Sequence, residues 1–105
     1  MRISTAEAEV PFAESVNVSD DALTVELSDG RTIAVPLAWF PRLLHGSPME
    51  RGRWCLIGKG SGIHWPDLDE DISVEGLLLG QHSGESQSSF ERWLHSRKPR
   101  STSGA

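Results

Sequence analysis

The chain has 105 residues, 37% of them hydrophobic and 24% charged, and a formal net charge of −5 at pH 7, values typical of one soluble globular domain. The acidic balance argues against non-specific nucleic-acid binding, which relies on a basic surface, and no apolar run approaches the roughly 20 residues that span a bilayer. The only cysteine, Cys55, cannot form an intrachain disulfide, and no secretion signal opens the chain, so we expect a cytoplasmic protein.

The first third of the chain is typical of antiparallel strands. Residues 1–14 lack clear periodicity, and we interpret them as a loosely ordered lead-in or an added edge strand. Beyond them apolar and polar residues alternate, which predicts strands with one solvent-facing side. Residues 23–27 and 32–35 are predicted to pair as a hairpin, because Asp29 and Gly30 favour the positive φ angles of a two-residue turn.

Short helices and a short strand are predicted after this hairpin. A helix over residues 37–45 is expected to end at Gly46. Ser47 and Glu50 then have the spacing of a capping box, which predicts the start of a second helix. Residues 54–57 are apolar and few, which indicates a buried strand.

The next segment alternates between strand and turn signals. Residues 63–65 are predicted to be a strand and residues 66–69 a turn. Residues 70–73 either extend the sheet or lead into a helix that Ser73 caps. These elements predict an α+β fold, with a small, mainly antiparallel sheet and short helices on one side of it over residues 15–80.

A final amphipathic helix is predicted within residues 81–105, between a linker and a frayed tail. Its apolar stripe consists of Phe90, Trp93 and Leu94. The charged residues around this stripe are Arg92, Arg97, Lys98 and Arg100. The stripe either docks on its own domain or packs against another small protein or a second copy of the chain, and the sequence leaves both readings open.

Residues 62–73 contain most of the side chains that could bind a partner or a metal ion. A glycine precedes an imidazole and an indole, and four carboxylates follow: His64, Trp65, Asp67, Asp69, Glu70 and Asp71. One interpretation is a solvated acidic turn that forms salt bridges with Arg31 and Arg42. Another is a partner-binding patch that includes these arginines and in which Trp65 is partly exposed, because exposed aromatic residues ringed by charge are common at binding surfaces.

Two catalytic or ligand-binding readings of the same region are weaker. His64 and the carboxylates of residues 67–71 are ligand types that Mn²⁺, Fe²⁺ or Mg²⁺ accept, but their spacing matches no dedicated metal loop. Cys55 could pair with His64 or His45 as nucleophile and base, whereas its apolar strand favours a buried, unreactive thiol. We therefore predict no metal site, no cofactor and no catalytic residues.

Several short motifs together resemble a known family. They are LTVELSDGR at residues 23–31, VPL at 35–37, PRL at 41–43, GIHWP at 62–66 and DISV at 71–74. In this order they resemble the bacterial domain of unknown function 2442 over residues 15–80. The resemblance implies a small α+β domain, similar to the N-terminal domain of a two-domain nitrosomonad protein whose second domain is a helix-turn-helix. It also implies a gene pairing like that of toxin–antitoxin modules, and it supplies no established catalytic residue.

These observations favour a non-enzymatic interaction or regulatory module. We expect the antitoxin-like member of a two-gene bacterial system, which binds a basic partner protein through the acidic residues 67–71. The alternative is a small metal-dependent enzyme or binder that uses His64 with the same carboxylates. A third reading is a nucleic-acid accessory that contacts phosphate through residues 92–100, which the net charge makes unlikely to be the main role.

Overall fold

The computed structural model describes residues 10–103, with the side chains of residues 10–97. Its strands are β1 (Ala13–Val18), β2 (Ala22–Leu27), β3 (Thr32–Pro36), β4 (Cys55–Ile57), β5 (Gly62–Trp65) and β6 (Glu70–Ser73). Its α-helices are α1 (Pro41–Leu44), α2 (Pro48–Gly52), α3 (Val74–Leu78) and α4 (Gln87–Ser103), and 3-10 turns lie at Leu37–Trp39 and Gly58–Gly60. The predicted α+β class is confirmed. The lead-in and tail predictions for residues 1–9, 104 and 105 lie outside the described residues.

The strands form two antiparallel sheets, where the sequence predicted one. The first sheet has the order β1-β2-β3 and the second has the order β4-β5-β6. Residues 37–52 separate the two sheets along the chain, with short helices whose boundaries the sequence marks. The predicted capping box of α2 is present, since the Glu50 amide donates to the Ser47 hydroxyl and the Ser47 amide donates to the Glu50 carboxylate.

The first hairpin pairs as predicted, but its turn differs. Val25 lies opposite Ile33 in the β2–β3 register, so the apolar positions share one face. The loop contains three residues rather than two, because the Gly30 amide donates to the carbonyl of Leu27 and only Gly30, at φ 94°, has a positive φ there. A type I turn followed by a left-handed glycine gives this geometry, and Asp29 then keeps an ordinary negative φ.

Strand β4 is exposed, so the prediction of a buried strand at residues 54–57 is wrong. All three of its residues are exposed, among them Cys55, because β4 is an edge strand of the second sheet. Trp54 and Trp39 are only partly buried, and both indoles pack against the core from its margin. Short apolar runs do not reveal on which side of a sheet, or at which edge, they lie.

One hydrophobic core joins the two sheets. The buried residues are Ala13, Val16, Leu23, Val25, Leu27, Val35, Leu37, Phe40, Leu43, Ile63, Trp65, Leu68, Ile72, Val74 and Leu77. Trp65 is 0% exposed, and its indole nitrogen donates to the carbonyl of Arg51 at 3.0 Å. The expectation that Trp65 is partly exposed is therefore wrong. Since alternate residues of a strand face opposite sides, Ile63 and Trp65 share the buried face of β5, and the half-buried His64 lies on the other.

The last helix packs on its own domain over the described side chains. The Phe90 ring lies edge-on to His45, with centroids 5.2 Å apart, and stacks on Trp93 at 5.7 Å. The Arg97 guanidinium lies over the Trp93 ring, 4.6 Å from its centroid, and donates to the Glu50 carboxylate at 2.8 Å. Of the two readings of the apolar stripe of α4, the structure therefore shows the one in which Phe90 and Trp93 contact their own domain. Within residues 10–103, no helix combines the length and hydrophobicity needed to cross a membrane.

Candidate functional site

The acidic residues lie in the turn between β5 and β6 and in the first part of β6; we call Asp67, Asp69, Glu70 and Asp71 the acidic edge. Leu68 anchors this turn, since it is fully buried and its amide donates to the carbonyl of Trp65 at 3.2 Å. Asp69 has φ +52°, a left-handed conformation that aspartate tolerates better than most residues. The buried leucine directs the carboxylates on either side of it away from the core.

Each aspartate of the acidic edge has a basic side chain of the same domain beside it. Asp67 lies 3.6 Å from Arg53, and Asp69 lies 3.5 Å from Arg42. The Asp71 carboxylate bonds Nδ1 of His64, which is directly opposite it in the β5–β6 register. The Asp69 and Asp71 side chains are nevertheless 87% and 68% exposed. Exposed pairs of this kind are weak, so the carboxylates stay available to other cations.

Of the two arginines predicted to serve the acidic edge, only Arg42 reaches it. Arg31 instead donates to Asp29, two residues before it in the first hairpin, at 2.9 Å. The turn chemistry of that hairpin explains this, because a carboxylate at its tip captures the nearest guanidinium. Arg31 therefore pairs with Asp29 and not with residues 67–71, and its place in a partner-binding patch stays a prediction.

Arg42 is fully engaged inside the domain. Its Nε donates to the Glu85 carboxylate at 2.9 Å, its Nη2 bonds the same carboxylate, and its Nη1 donates to the Asp69 carbonyl at 2.9 Å. The guanidinium also lies 5.2 Å from the centroid of Trp93. The hydrogen bond between Arg42 and Glu85 raises the pKa of Arg42 and lowers the pKa of Glu85, so this pair stays charged.

Glu70 differs from its three neighbours. Its side chain forms no hydrogen bond and no ion pair with any residue in the described part of the chain, although it is half-buried. Burial raises the pKa of Glu70 to about 7, because desolvation penalises the charged carboxylate more than the nearby Arg42 stabilises it. A carboxyl group that titrates near neutral pH in a cleft is a candidate for a functional role.

A cleft of about 190 Å³ opens beside Glu70, between β6, α3 and the segment that leads to α4. Its lining includes the polar residues Glu70, Asp71, Ser73, Gln81, His82 and Ser83. Backbone hydrogen bonds position the far wall, since the Gln81 amide donates to Gly76 at 2.9 Å and the Ser83 amide donates to Trp39 at 3.0 Å. The His82 ring stacks on Trp39 with centroids 3.9 Å apart, which fixes an imidazole at the cleft.

The metal site that the sequence offered as an alternative is not formed by the described residues. No three histidine, cysteine or acidic side chains among them converge on one point. The physical reason is that the carboxylates of residues 67–71 diverge toward separate partners, and His64 is occupied by Asp71. The arrangement suits the binding of separate cationic groups rather than one ion.

The nucleophile and base pairs suggested by the sequence are also not assembled. Cys55 lies opposite His64 in the β4–β5 register, yet no hydrogen bond joins them among the described contacts, and His45 packs on Phe90. The prediction of a buried thiol is nonetheless wrong, because Cys55 is exposed.

Sequence reasoning missed the residues that close the cleft from the C-terminal side. Gln81, His82 and Ser83 lie in a polar stretch without periodicity, which gave no signal beyond a spacer. Only Gly80, at φ +76°, marks a turn there, and it shows that the chain reverses but not what it contacts.

Comparisons with known proteins agree on the fold and assign no activity. The model of a family described as "Protein of unknown function (DUF2442)" matches residues 13–83. A crystal structure of a protein of unknown function from Rhodospirillum rubrum is 28% identical, with a TM-score of 0.64, over 75% of this chain and 98% of that one. A solution structure of an uncharacterized protein from Chromobacterium violaceum is 19% identical, with a TM-score of 0.63, over 90% of this chain and 83% of that one. No curated protein matches significantly.

Proposed function

We propose, since the chain belongs to the DUF2442 family of proteins of unknown function, that it is a non-enzymatic interaction module whose acidic edge binds a basic segment of a partner protein. The proposal rests on the surface of this chain rather than on its relatives. It assigns binding to the turn between β5 and β6, because Phe90 and Trp93 of α4 already pack on their own domain.

The observation that carries the proposal is the exposure of the paired carboxylates. Asp69 and Asp71 are mostly solvated although each has a basic side chain of its own beside it. Exposed ion pairs contribute about 0–1 kcal/mol, so a partner's lysine or arginine can join or replace them at little cost. Glu70, between the two, has no described partner at all.

The net charge of the chain also favours the binding of a basic partner. A chain with a formal net charge of −5 attracts a basic partner before the two proteins are in contact. Such attraction raises the association rate more than it raises the affinity. The binding should therefore weaken as ionic strength rises, because salt screens charges over about 10 Å at 0.1 M.

The family resemblance seen in the sequence supports one identity for the partner. We propose that it is a small basic protein encoded beside this chain, and that this chain is the antitoxin-like member of the pair. A test is growth of host cells that express the neighbouring protein alone or with this chain. Rescue of growth by the wild-type chain supports the role, and equal growth in both cases contradicts it.

The binding surface is tested by charge reversal. The double variant Asp69→Lys with Asp71→Lys is compared with Glu14→Lys plus Glu26→Lys, which changes the net charge equally on the exposed side of the first sheet. A partner is isolated from the native host with the wild-type chain, purified, and its association rate is measured for all three proteins across salt concentrations.

We expect the rate for the acidic-edge variant to fall about tenfold or more at low salt, and the rate for the first-sheet variant to fall much less. Equal losses in the two variants would assign the effect to net charge alone. No loss in either would refute an acidic binding surface.

A further inference from the structure

We propose that the cleft beside Glu70 receives an arginine side chain of the basic partner, with the guanidinium bound by the Glu70 carboxylate. This inference rests on the proposed function and specifies its central contact. It starts from a half-buried acidic residue that lines a cavity and whose side chain bonds no other described residue, while each acidic neighbour has a basic side chain beside it.

No cationic side chain among the described residues bonds the Glu70 carboxylate. Arg42 is the nearest, but it donates to the Glu85 carboxylate and to the Asp69 carbonyl at 2.9 Å each. Arg53 lies beside Asp67, and His64 bonds Asp71. Because these groups are held elsewhere, the Glu70 carboxylate is open to a cation from another molecule.

The cleft has the size and lining that a guanidinium requires. Its volume of about 190 Å³ exceeds that of a planar group of four heavy atoms and leaves room for the adjoining methylenes. Ser73 and Gln81 also line it and add further polar groups to its wall. A guanidinium presents a fork of N–H donors that matches a carboxylate and its neighbours, whereas an ammonium is a compact point charge.

An aromatic surface at the same cleft favours arginine over lysine. His82 lines the cavity and is braced by Trp39, on which it stacks at 3.9 Å. A planar guanidinium stacks on flat rings, and a fixed ring loses little entropy when it does so. The combination of a carboxylate and a braced ring therefore recognises the shape of arginine as well as its charge.

The charges that face Glu70 determine how binding depends on pH. Arg42 from α1 favours its ionised form, whereas Asp69, Asp71 and Glu85 oppose it, and desolvation is the largest influence. At neutral pH part of the population carries a proton on Glu70. A bound guanidinium favours the carboxylate, so binding releases a proton and strengthens as pH rises through about 7.

The experiment uses N-acetyl-argininamide as the probe and the intact chain. The Glu70 carboxyl carbon is followed by NMR across pH, with and without the probe, and the amides of Gly76, Gln81 and Ser83 report occupancy of the cleft. N-acetyl-citrullinamide is the matched neutral probe, and N-acetyl-lysinamide is the matched ammonium.

We expect the arginine probe to lower the apparent pKa of Glu70 by about one pH unit, a tenfold change in proton affinity, and to shift the cleft amides. The citrulline probe should do neither, and the lysine probe should bind several-fold more weakly. Glu70→Gln should abolish the response, and Asp67→Asn, outside the cleft, should preserve it. An unchanged Glu70 titration, equal responses to the charged and neutral probes, or equal binding of lysine and arginine would each overturn the inference.

This outcome is independent of the charge-reversal test. If the partner's association rate depends on Asp69 and Asp71 but the probe leaves Glu70 unchanged, the acidic edge binds a partner without an arginine in the cleft. If the probe binds while the partner ignores charge reversal, the proposed function fails and the cleft remains an arginine site.

Discussion

Arg42 and Glu85 bond each other across 43 residues of sequence, with the Arg42 Nε donating to a Glu85 oxygen at 2.9 Å. Both side chains are largely buried, and the Ser89 hydroxyl donates to the same carboxylate at 2.8 Å. The pair therefore ties the start of α4 to α1. It also engages the Arg42 guanidinium, so Glu70 is the one member of the acidic edge whose side chain bonds no other described residue.

Glu85→Gln should lower the pKa of Glu70 below about 7. The change removes a negative charge that raises the pKa of Glu70, and it frees Arg42 to turn toward that carboxyl. We also expect a loss of about 1–3 kcal/mol in unfolding free energy, since a charged hydrogen bond is broken. Carboxyl NMR and urea denaturation measure the two effects. Glu14→Gln on exposed β1 is the control, and an equal Glu70 titration in both variants would contradict the coupling.

The wild-type chain should lose stability relative to Glu70→Gln as pH rises from 4.5 to about 7. The pKa of this carboxyl is higher in the folded state than the ordinary 4.5, so the folded chain binds more protons in that window and ionisation disfavours folding. Below the window the two proteins should differ little, and above it the difference should be constant. Urea denaturation at a series of pH values measures it; a difference that stays flat throughout would exclude burial of Glu70.

Trp65→Ala should cost about 3–5 kcal/mol of unfolding free energy, as expected for a large buried aromatic residue. Trp65→Phe keeps most of the apolar area but leaves the Arg51 carbonyl without its indole donor, which we expect to cost about 1–3 kcal/mol. Chemical denaturation separates the two. Trp54→Phe, at the partly buried margin of the core, should cost less than Trp65→Phe, and the reverse order would contradict the core described above.

Arg97→Ala should loosen α4 without unfolding the sheets. Arg97 lies over Trp93 and donates to Glu50, and that hydrogen bond lowers the pKa of Glu50. A depressed carboxyl pKa stabilises the fold above the ordinary value, and this contribution is lost as pH falls through the folded-state pKa. Hydrogen exchange should therefore speed up several-fold in α4 and stay unchanged in β2. Arg92→Ala, on the exposed face, should leave both rates as they are.

Local rules explain what the sequence predicted correctly. The capping box of Ser47 and Glu50 is present, and Ser73 caps α3 while β6 ends at the same residue, so both readings of residues 70–73 hold. These features depend on residues no more than four positions apart. The turn at Gly30 shows the limit of such rules, because a dipeptide that favours two-residue loops is found in a three-residue loop.

The sequence by itself determined the strands, caps and α+β class, because alternation and capping depend on near neighbours. Only the tertiary structure decided that Trp65 is buried and Cys55 exposed, since alternation shows which residues share a face but not which face meets the core. It also decided that Arg42 binds Glu85 and that the Glu70 side chain lies beside a cleft without a bond to any other described side chain. Those relationships join residues far apart in the chain, and no local pattern encodes which cation reaches which carboxylate.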